Sequence, residues 1–301
     1  MLEVQSAEIT LRTVRDHVRW AASRFTEAGL VFGHGTENAL DEAAALVSHS
    51  LHLPAQIPDL YWDARITDGE QRLILERVSR RIETRLPLPY ITGEAWFAGL
   101  PFHVDRRVLI PRSPIAELIE TGFSPWLDAV AVDRVLEIGT GSGCIAAACA
   151  LAFPEAAVLA TDVSTDALAL AEHNLARHGL TGQVQLLQSD VFDAVPADAR
   201  FDLIVSNPPY VDAEDMAALP PEYRHEPRRA LAAGDDGLVV VHRILAGAAA
   251  HLSENGILVC EVGNSEWALA EAYPQVPFLW LDFERGGHGV FLLTAEQLGT
   301  I

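Results

Sequence analysis

Two kinds of apolar spacing divide the chain. From about Ser6 to Leu86, apolar residues recur at three- and four-residue intervals, as over residues 37–53 and 68–86, which predicts amphipathic helices. Thr36 and Thr67 stand near the starts of these segments as candidate caps, and Pro54, Pro58, Pro87 and Pro89 punctuate the region. The pattern predicts a small N-terminal helical domain over residues 1–86. Residues 89–104 are then aromatic and β-branched with glycine turn signals, which predicts a β-hairpin. The hairpin runs into Val108-Leu109-Ile110-Pro111-Arg112 and would make residues 87–112 a linker.

From Val132 the pattern alternates between strand and helix. Strands are predicted at 134–138, 158–162, 184–188, 201–206 and 257–262, with helices between them such as 166–178. That helix has Ser164 or Thr165 as its cap and Gly179 as its terminator. Such alternation predicts an α/β fold, a doubly wound parallel sheet with helices on both faces. Residues 278–283 and 289–293 flank Glu284-Arg285-Gly286-Gly287-His288 and read as an antiparallel hairpin appended to that sheet. The resulting catalytic domain would span residues 113–301.

At 301 residues, 50% hydrophobic and 21% charged, the chain can bury a sizeable core. Its longest apolar run, residues 144–153, is too short to span a bilayer and is broken by Pro154. Glu3, Glu8, Arg12 and Arg15 interrupt the apolar core that a signal peptide would need, so the reading is a cytoplasmic protein. Cys144, Cys149 and Cys260 are odd in number and lack metal-ligand spacing, which predicts reduced core thiols and no metal. The net charge of −21 changes the picture more. It would repel a free polyanion, so no direct nucleic-acid substrate is expected, whereas a basic protein partner would be attracted. Acidity serving solubility alone is the other reading.

Three segments carry chemistry. In Val135-Leu136-Glu137-Ile138-Gly139-Thr140-Gly141-Ser142-Gly143, a strand ends in a glycine loop that opens a helix. Glycines admit close backbone approach, and the helix start offers unpaired N–H groups to a ligand. A tight structural turn would read the same way. The next strand ends in Asp162, placed to accept from two ribose hydroxyls or else to cap the following helix. After the third strand, Asp190 is a candidate acceptor for an adenine amino group, or simply a turn residue. The fourth strand delivers Asn207-Pro208-Pro209-Tyr210 to its carboxyl end. The prolines stiffen this loop and remove backbone donors. The acceptors that remain, the Asn207 side-chain oxygen and the Pro208 carbonyl, suit an –NH2 group, and Tyr210 offers a ring face to a planar amide or base.

In that order, the glycine loop, Asp162 and Asn207 to Tyr210 resemble the class I S-adenosylmethionine methyltransferases that modify exocyclic or amide nitrogens. Pro89-Tyr90-Ile91-Thr92-Gly93, Val108 to Arg112, Glu226-Pro227, Ala230-Leu231, Gly234 to Leu238 and Glu261-Val262-Gly263 narrow the resemblance to the protein-glutamine methyltransferases. Release-factor enzymes of that family typically read Pro-Glu-Thr-Glu after the Pro-Arg pair. Here Ser113-Pro114-Ile115-Ala116-Glu117 follows, which resembles the branch acting on a large-subunit ribosomal protein, the third by standard numbering.

The resemblance implies a Rossmann-like seven-stranded sheet and S-adenosylmethionine as cofactor. It implies that Gly139, Thr140, Gly141, Ser142, Gly143 and Asp162 hold the cofactor, with Asp190 and Asn207 as further cofactor candidates. It also implies that Asn207, Pro208, Pro209 and Tyr210 bind the glutamine, with Asn207, Pro208 and Tyr210 catalytic. Val191 stands where release-factor enzymes carry Trp. The competing expectations are methylation of release factors, methylation of adenine or cytosine amino groups with base flipping, and a silent adaptor that binds the ribosomal protein. Arg112 and Glu117 are candidates either for the substrate groove or for an ion pair between domains. His103, His225 and His288 read as surface or packing residues.

Overall fold

In the computed structural model, which describes residues 10–128 and 131–299, the N-terminal spacing becomes helices α1 (Val14–Glu27), α2 (Ala39–Ser50) and α3 (Asp68–Thr84). The part of the helical region expected from Ser6 to Ile9 lies outside the described residues. Capping boxes open α1 and α3, pairing Thr13 with Asp16 and Thr67 with Glu70. Helix α2 is capped by Asn38 rather than Thr36, because the Asn38 side chain reaches the Leu40 and Asp41 N–H groups. Thr36 lies two residues too early and donates instead to Glu42 Oε2 at 3.0 Å. The apolar faces close on Val18, Phe25, Leu46, Val47, Ile74 and Val78.

Beside this core lies a buried charge cluster. Arg81 Nε donates to Glu42 Oε1 at 2.6 Å, while Glu222 Oε1 lies 3.0 Å from both Arg85 Nε and the Val31 N–H. Glu222 arrives from far along the chain: Met1–Glu94 and Pro220–His225 form one compact unit, and Ala95–Leu219 with Glu226–Ile301 form the other.

The hairpin is narrower than its composition predicts. Leu88–Thr92 is a short helix, since prolines fit a first helical turn whose N–H groups have no helical partner. Strands β1 (Glu94–Phe97) and β2 (Leu100–His103) then pair through Ala98 and Gly99, whose φ of 47° and 75° suit a tight two-residue turn.

The large unit holds a seven-stranded sheet of β3 (Arg134–Ile138), β4 (Ala157–Asp162), β5 (Val184–Gln188), β6 (Phe201–Ser206), β7 (Leu252–Glu261), β8 (Leu279–Trp280) and β9 (Val290–Thr294). Their order is β5-β4-β3-β6-β7-β9-β8, with β3 to β7 parallel and β9 antiparallel to both neighbours. Strand β7 begins five residues earlier than its apolar run suggests, where Leu252 pairs with Phe201 across an irregularity in register. Both faces of the sheet are covered, so its central strands are largely apolar. Helix α4 (Cys144–Ala152) packs Ala146, Ala147 and Cys149 against Val135, Val158 and Leu203. Helix α6 (Val239–His251) packs Val241, Ile244 and Ala248 against Leu136, Ile204 and Leu258. Between them in sequence, α5 (Thr165–Arg177) is capped by Ser164 and followed by Gly179 at φ 71°.

Strand β3 has β4 on one side and β6 on the other, so the winding reverses there. Helices then leave in opposite directions and a crevice opens at the carboxyl ends of the strands. All three cysteines are buried free thiols. Among the described residues no helix is long and apolar enough to cross a membrane.

Candidate functional site

A cavity occupies that crevice. Its wall includes Glu137 to Ser142 from the end of β3 onward, Asp162 to Ser164 from the end of β4, Ser189 to Val191 after β5 and Asn207 to Pro209 after β6. Arg107, Arg112, Ser113, Arg229 and Val240 complete much of the rest. Of the residues expected to hold the cofactor or the glutamine, all but Gly143 and Tyr210 line it.

The glycine loop is held by its own backbone and by one carboxylate. The Gly139 and Thr140 N–H groups both donate to the Thr161 carbonyl at 2.8 Å, tying the loop to β4. Gly141 N–H donates to Asp162 Oδ2 at 2.9 Å, and Ser164 N–H donates to Oδ1 at 2.8 Å. Each Asp162 oxygen thereby keeps acceptor capacity for a ligand. Burial raises the Asp162 pKa above the ordinary carboxylate value. The helix-cap alternative does not hold, because the cap of α5 is the Ser164 hydroxyl. At Gly141 (φ 54°) a Cβ would meet nothing within 4 Å, so the cavity comes directly to the main chain. Gly143, expected to hold the cofactor, is off the wall: a Cβ there would sit 3.2 Å from that of Ala171, so this glycine lets α4 start close against α5.

Glu137 is a wall residue that the motif reading passed over. It is 1% exposed and accepts from Thr140 Oγ1 at 2.5 Å. Burial, offset by hydrogen bonds from Thr140 and the Ala146 N–H and reinforced by the Asp162 charge, pushes its carboxyl up to about 7. The signal was present in the sequence, since a carboxylate inside the otherwise apolar Val135-Leu136-Glu137-Ile138 is costly unless it has a task. Asp190 does line the cavity, but its Oδ1 accepts from Arg243 at 2.7 Å on a half-exposed side chain.

Strand β6 fixes Asn207 through its neighbour, as Ser206 Oγ donates to the Ile138 carbonyl at 2.7 Å. At the other end of the loop, Tyr210 is engaged by protein rather than offering its ring to the cavity. Its hydroxyl donates to Glu261 Oε1 at 2.8 Å, and its carbonyl accepts from Ser265 Oγ at 2.7 Å. Its ring rests on Gly263, where a Cβ would come within 2.6 Å. Burial first, and then the Glu261 charge, push the phenol pKa well above its ordinary value.

Arg112 lines the cavity and also makes an ion pair, with both partners in the large unit. Its guanidinium meets Glu226 in a bidentate pair at 2.6 and 2.7 Å, and Glu226 Oε1 further accepts from the Ile110 N–H at 2.9 Å. Glu117 is not on the wall, and accepts from the N–H groups of Glu284 and Arg285. The three histidines have ordinary partners: His103 lies 3.9 Å from Asp105, His225 contacts the Thr84 carbonyl, and His288 contacts Asn264. Among the described residues no three His, Cys, Asp or Glu side chains cluster as a metal site.

A family model of the methyltransferase small domain matches residues 123–273. The ribosomal protein uL3 glutamine methyltransferase of Bordetella pertussis is 50% identical over 291 residues, covering 96% of this chain and 97% of that one. The enzyme of the same name from Xanthomonas campestris is 51% identical over 289 residues, covering 96% and 93%. Among solved structures, the catalytic domain of hMettl16 in complex with a MAT2A 3′UTR hairpin matches with a TM-score of 0.50 at 17% identity. It covers 79% of this chain and 83% of that one, a likeness of fold alone. The fold, the order of its cavity-lining loops and an identity of 50% over 96% of its length converge on one conclusion: the chain belongs to the family of ribosomal protein uL3 glutamine methyltransferases.

Proposed function

We propose that this enzyme transfers the methyl group of S-adenosylmethionine to the side-chain amide nitrogen of a glutamine in ribosomal protein uL3. It would act in the cytoplasm, on the free protein or on an assembly precursor. The observation that carries the reading is one shared wall: the acceptor-only segment Asn207 to Pro209 faces the same cavity as the glycine loop and Asp162.

The residues fit the cofactor. Half-buried Asp162 retains acceptor sites for two ribose hydroxyls, Gly141 leaves the main chain open to close approach, and Val163, Val191 and Val240 supply apolar wall. When bound, S-adenosylmethionine supplies an electrophilic methyl carbon on a positively charged sulfur. The chain supplies placement. An amide nitrogen is a poor nucleophile because its lone pair is delocalised into the carbonyl. Accepting one amide hydrogen at the Asn207 Oδ1 and the other at the Pro208 carbonyl aims that nitrogen and favours its pyramidalisation. Pro208 and Pro209 have no N–H to compete for those acceptors. The amide proton can depart after transfer, so no strong base is required. Acceptor dipoles fixed in advance also favour the positive charge that develops on nitrogen.

The net charge of −21 suits a basic partner and disfavours free nucleic acid. The test is incubation with labelled S-adenosylmethionine and unmethylated ribosomal proteins, followed by mass spectrometry of the labelled peptide. Label on a uL3 glutamine is expected. Label on release factors with none on any large-subunit protein would overturn the assignment.

A further inference from the structure

Glu261 ends β7, next to the strand that presents Asn207, and is 5% exposed. Nothing in the transfer chemistry above uses it, yet its two carboxylate oxygens receive two side-chain hydroxyls. Tyr210 Oη donates to Oε1 at 2.8 Å, and Ser113 Oγ donates to Oε2 at 2.5 Å. Ser113 is a cavity-wall residue beside Arg112, and its Oγ also accepts from the Ile115 N–H at 3.2 Å, at the start of the short helix Ile115–Glu120. One carboxylate therefore ties together the wall before that helix, the end of the Asn207–Tyr210 loop and the end of β7.

The loop needs such an anchor. Its two prolines cannot donate to a neighbouring strand, so beyond Ser206 it has left the parallel ladder. It is held at its start by the Ser206 hydroxyl and at its end by Tyr210. Loss of the Tyr210 anchor would let Pro208 and Pro209 shift, and with them the acceptors aimed at the amide.

We infer that Glu261 is a positioning residue for methyl transfer, whose carboxylate, bound at once by Tyr210 and Ser113, fixes the Asn207–Tyr210 loop in its amide-receiving geometry. The inference rests on the proposed glutamine chemistry for what the loop receives. Only a carboxylate offers two acceptor oxygens here. An amide at this position has one acceptor and one donor end, so one of the two hydroxyl donors would face an N–H.

The test compares E261Q, Y210F and S113A with the wild-type enzyme, measuring label transfer to uL3 and S-adenosylmethionine binding by calorimetry. Loss of an aligned charge-assisted hydrogen bond at a reacting geometry predicts that E261Q and Y210F each lower kcat about 10- to 100-fold. S113A should lower it less. Cofactor Kd should stay within about threefold in all three, because the glycine loop and Asp162 are untouched. The E261Q/Y210F double variant should be no slower than the slower single variant, since both remove the same anchor. Wild-type kcat in E261Q, or multiplicative losses in the double variant, would overturn the inference. If E261Q fails to fold, Y210F decides alone: wild-type kcat there overturns it, and a selective kcat loss supports it. A wild-type enzyme that labels no glutamine would instead sink the proposed function, which separates the two failures.

Discussion

Replacing Glu137 with Gln should make the protein more stable at pH 8 while leaving it little changed at pH 5. The carboxyl is fully buried behind the glycine loop, and burial is the largest cause of its rise from 4.5 to about 7. Folding therefore favours the protonated acid. Below pH 4.5 both folded and unfolded chains hold the proton and burial costs nothing extra. As pH rises from 4.5 toward 7 the unfolded chain sheds its proton first, so stability is lost across that window and levels off above it. At about 1.36 kcal/mol per pH unit, a carboxyl moved from 4.5 to about 7 forfeits about 3 kcal/mol in all, of which about 2.5 kcal/mol falls between pH 5 and pH 8. Gln keeps the shape and can still accept the Thr140 hydroxyl, but has no proton to lose. Asp162 and Glu261, whose pKa values are also raised by burial, contribute with the same sign. They are present in both proteins and largely cancel in the difference. Urea denaturation without cofactor at four pH values between 5 and 8 measures the gap between variant and wild type. A gap that stays constant with pH would refute the reasoning.

Three further outcomes follow from the geometry. Asn207→Ala should lower kcat at least about 100-fold while S-adenosylmethionine binding stays within about threefold, as read by label transfer and calorimetry; equal losses in both would show that Asn207 serves the cofactor instead. Asp162→Asn puts an NH2 where Gly141 N–H or Ser164 N–H now donates, and should weaken cofactor binding about 10- to 100-fold by calorimetry; unchanged affinity would exclude the ribose assignment. Arg81→Met removes the guanidinium from buried Glu42 and Glu222 and should cost the helical unit about 3–5 kcal/mol in denaturant; a loss below about 1 kcal/mol would mean that the cluster relaxes without it.

The sheet was readable because each parallel strand is an apolar run closed by a polar or glycine residue, and β3, β5 and β6 fall where the pattern puts them. The elements that moved are those where proline outweighs strand preference or where a distant partner decides. Residues 88–92 carry strand-like Tyr90, Ile91 and Thr92 but wind as a helix because Pro87 and Pro89 favour a helical start. After Leu252 the next four residues of β7 are polar or glycine, and only pairing against Phe201 draws Leu252 into the sheet. At the site, glycine spacing and the proline pair locate the loops because backbone conformation is written in those residue types. What they cannot express is which side chain turns inward. Tyr210 reads as a wall residue until Glu261 is seen to hold its hydroxyl, 51 positions away. Gly143 looks identical to Gly141 in sequence, yet one touches Ala171 and the other opens to the cavity.

The excursion of Pro220–His225 into the helical unit has a consequence for how that unit can be taken apart or exchanged. A fragment ending at Glu94 would carry Arg81 and Arg85 without Glu222, the acceptor of the Val31 N–H and a partner to both arginines. The helical unit is thus a split module, completed by six residues inserted between the Asn207–Tyr210 loop and Glu226. Recombination with a relative would have to exchange two separate stretches together. The same requirement makes the helices and the Pro220–His225 segment heritable as a set: a change at Arg81 on the buried face of α3 selects for a matching change at Glu222.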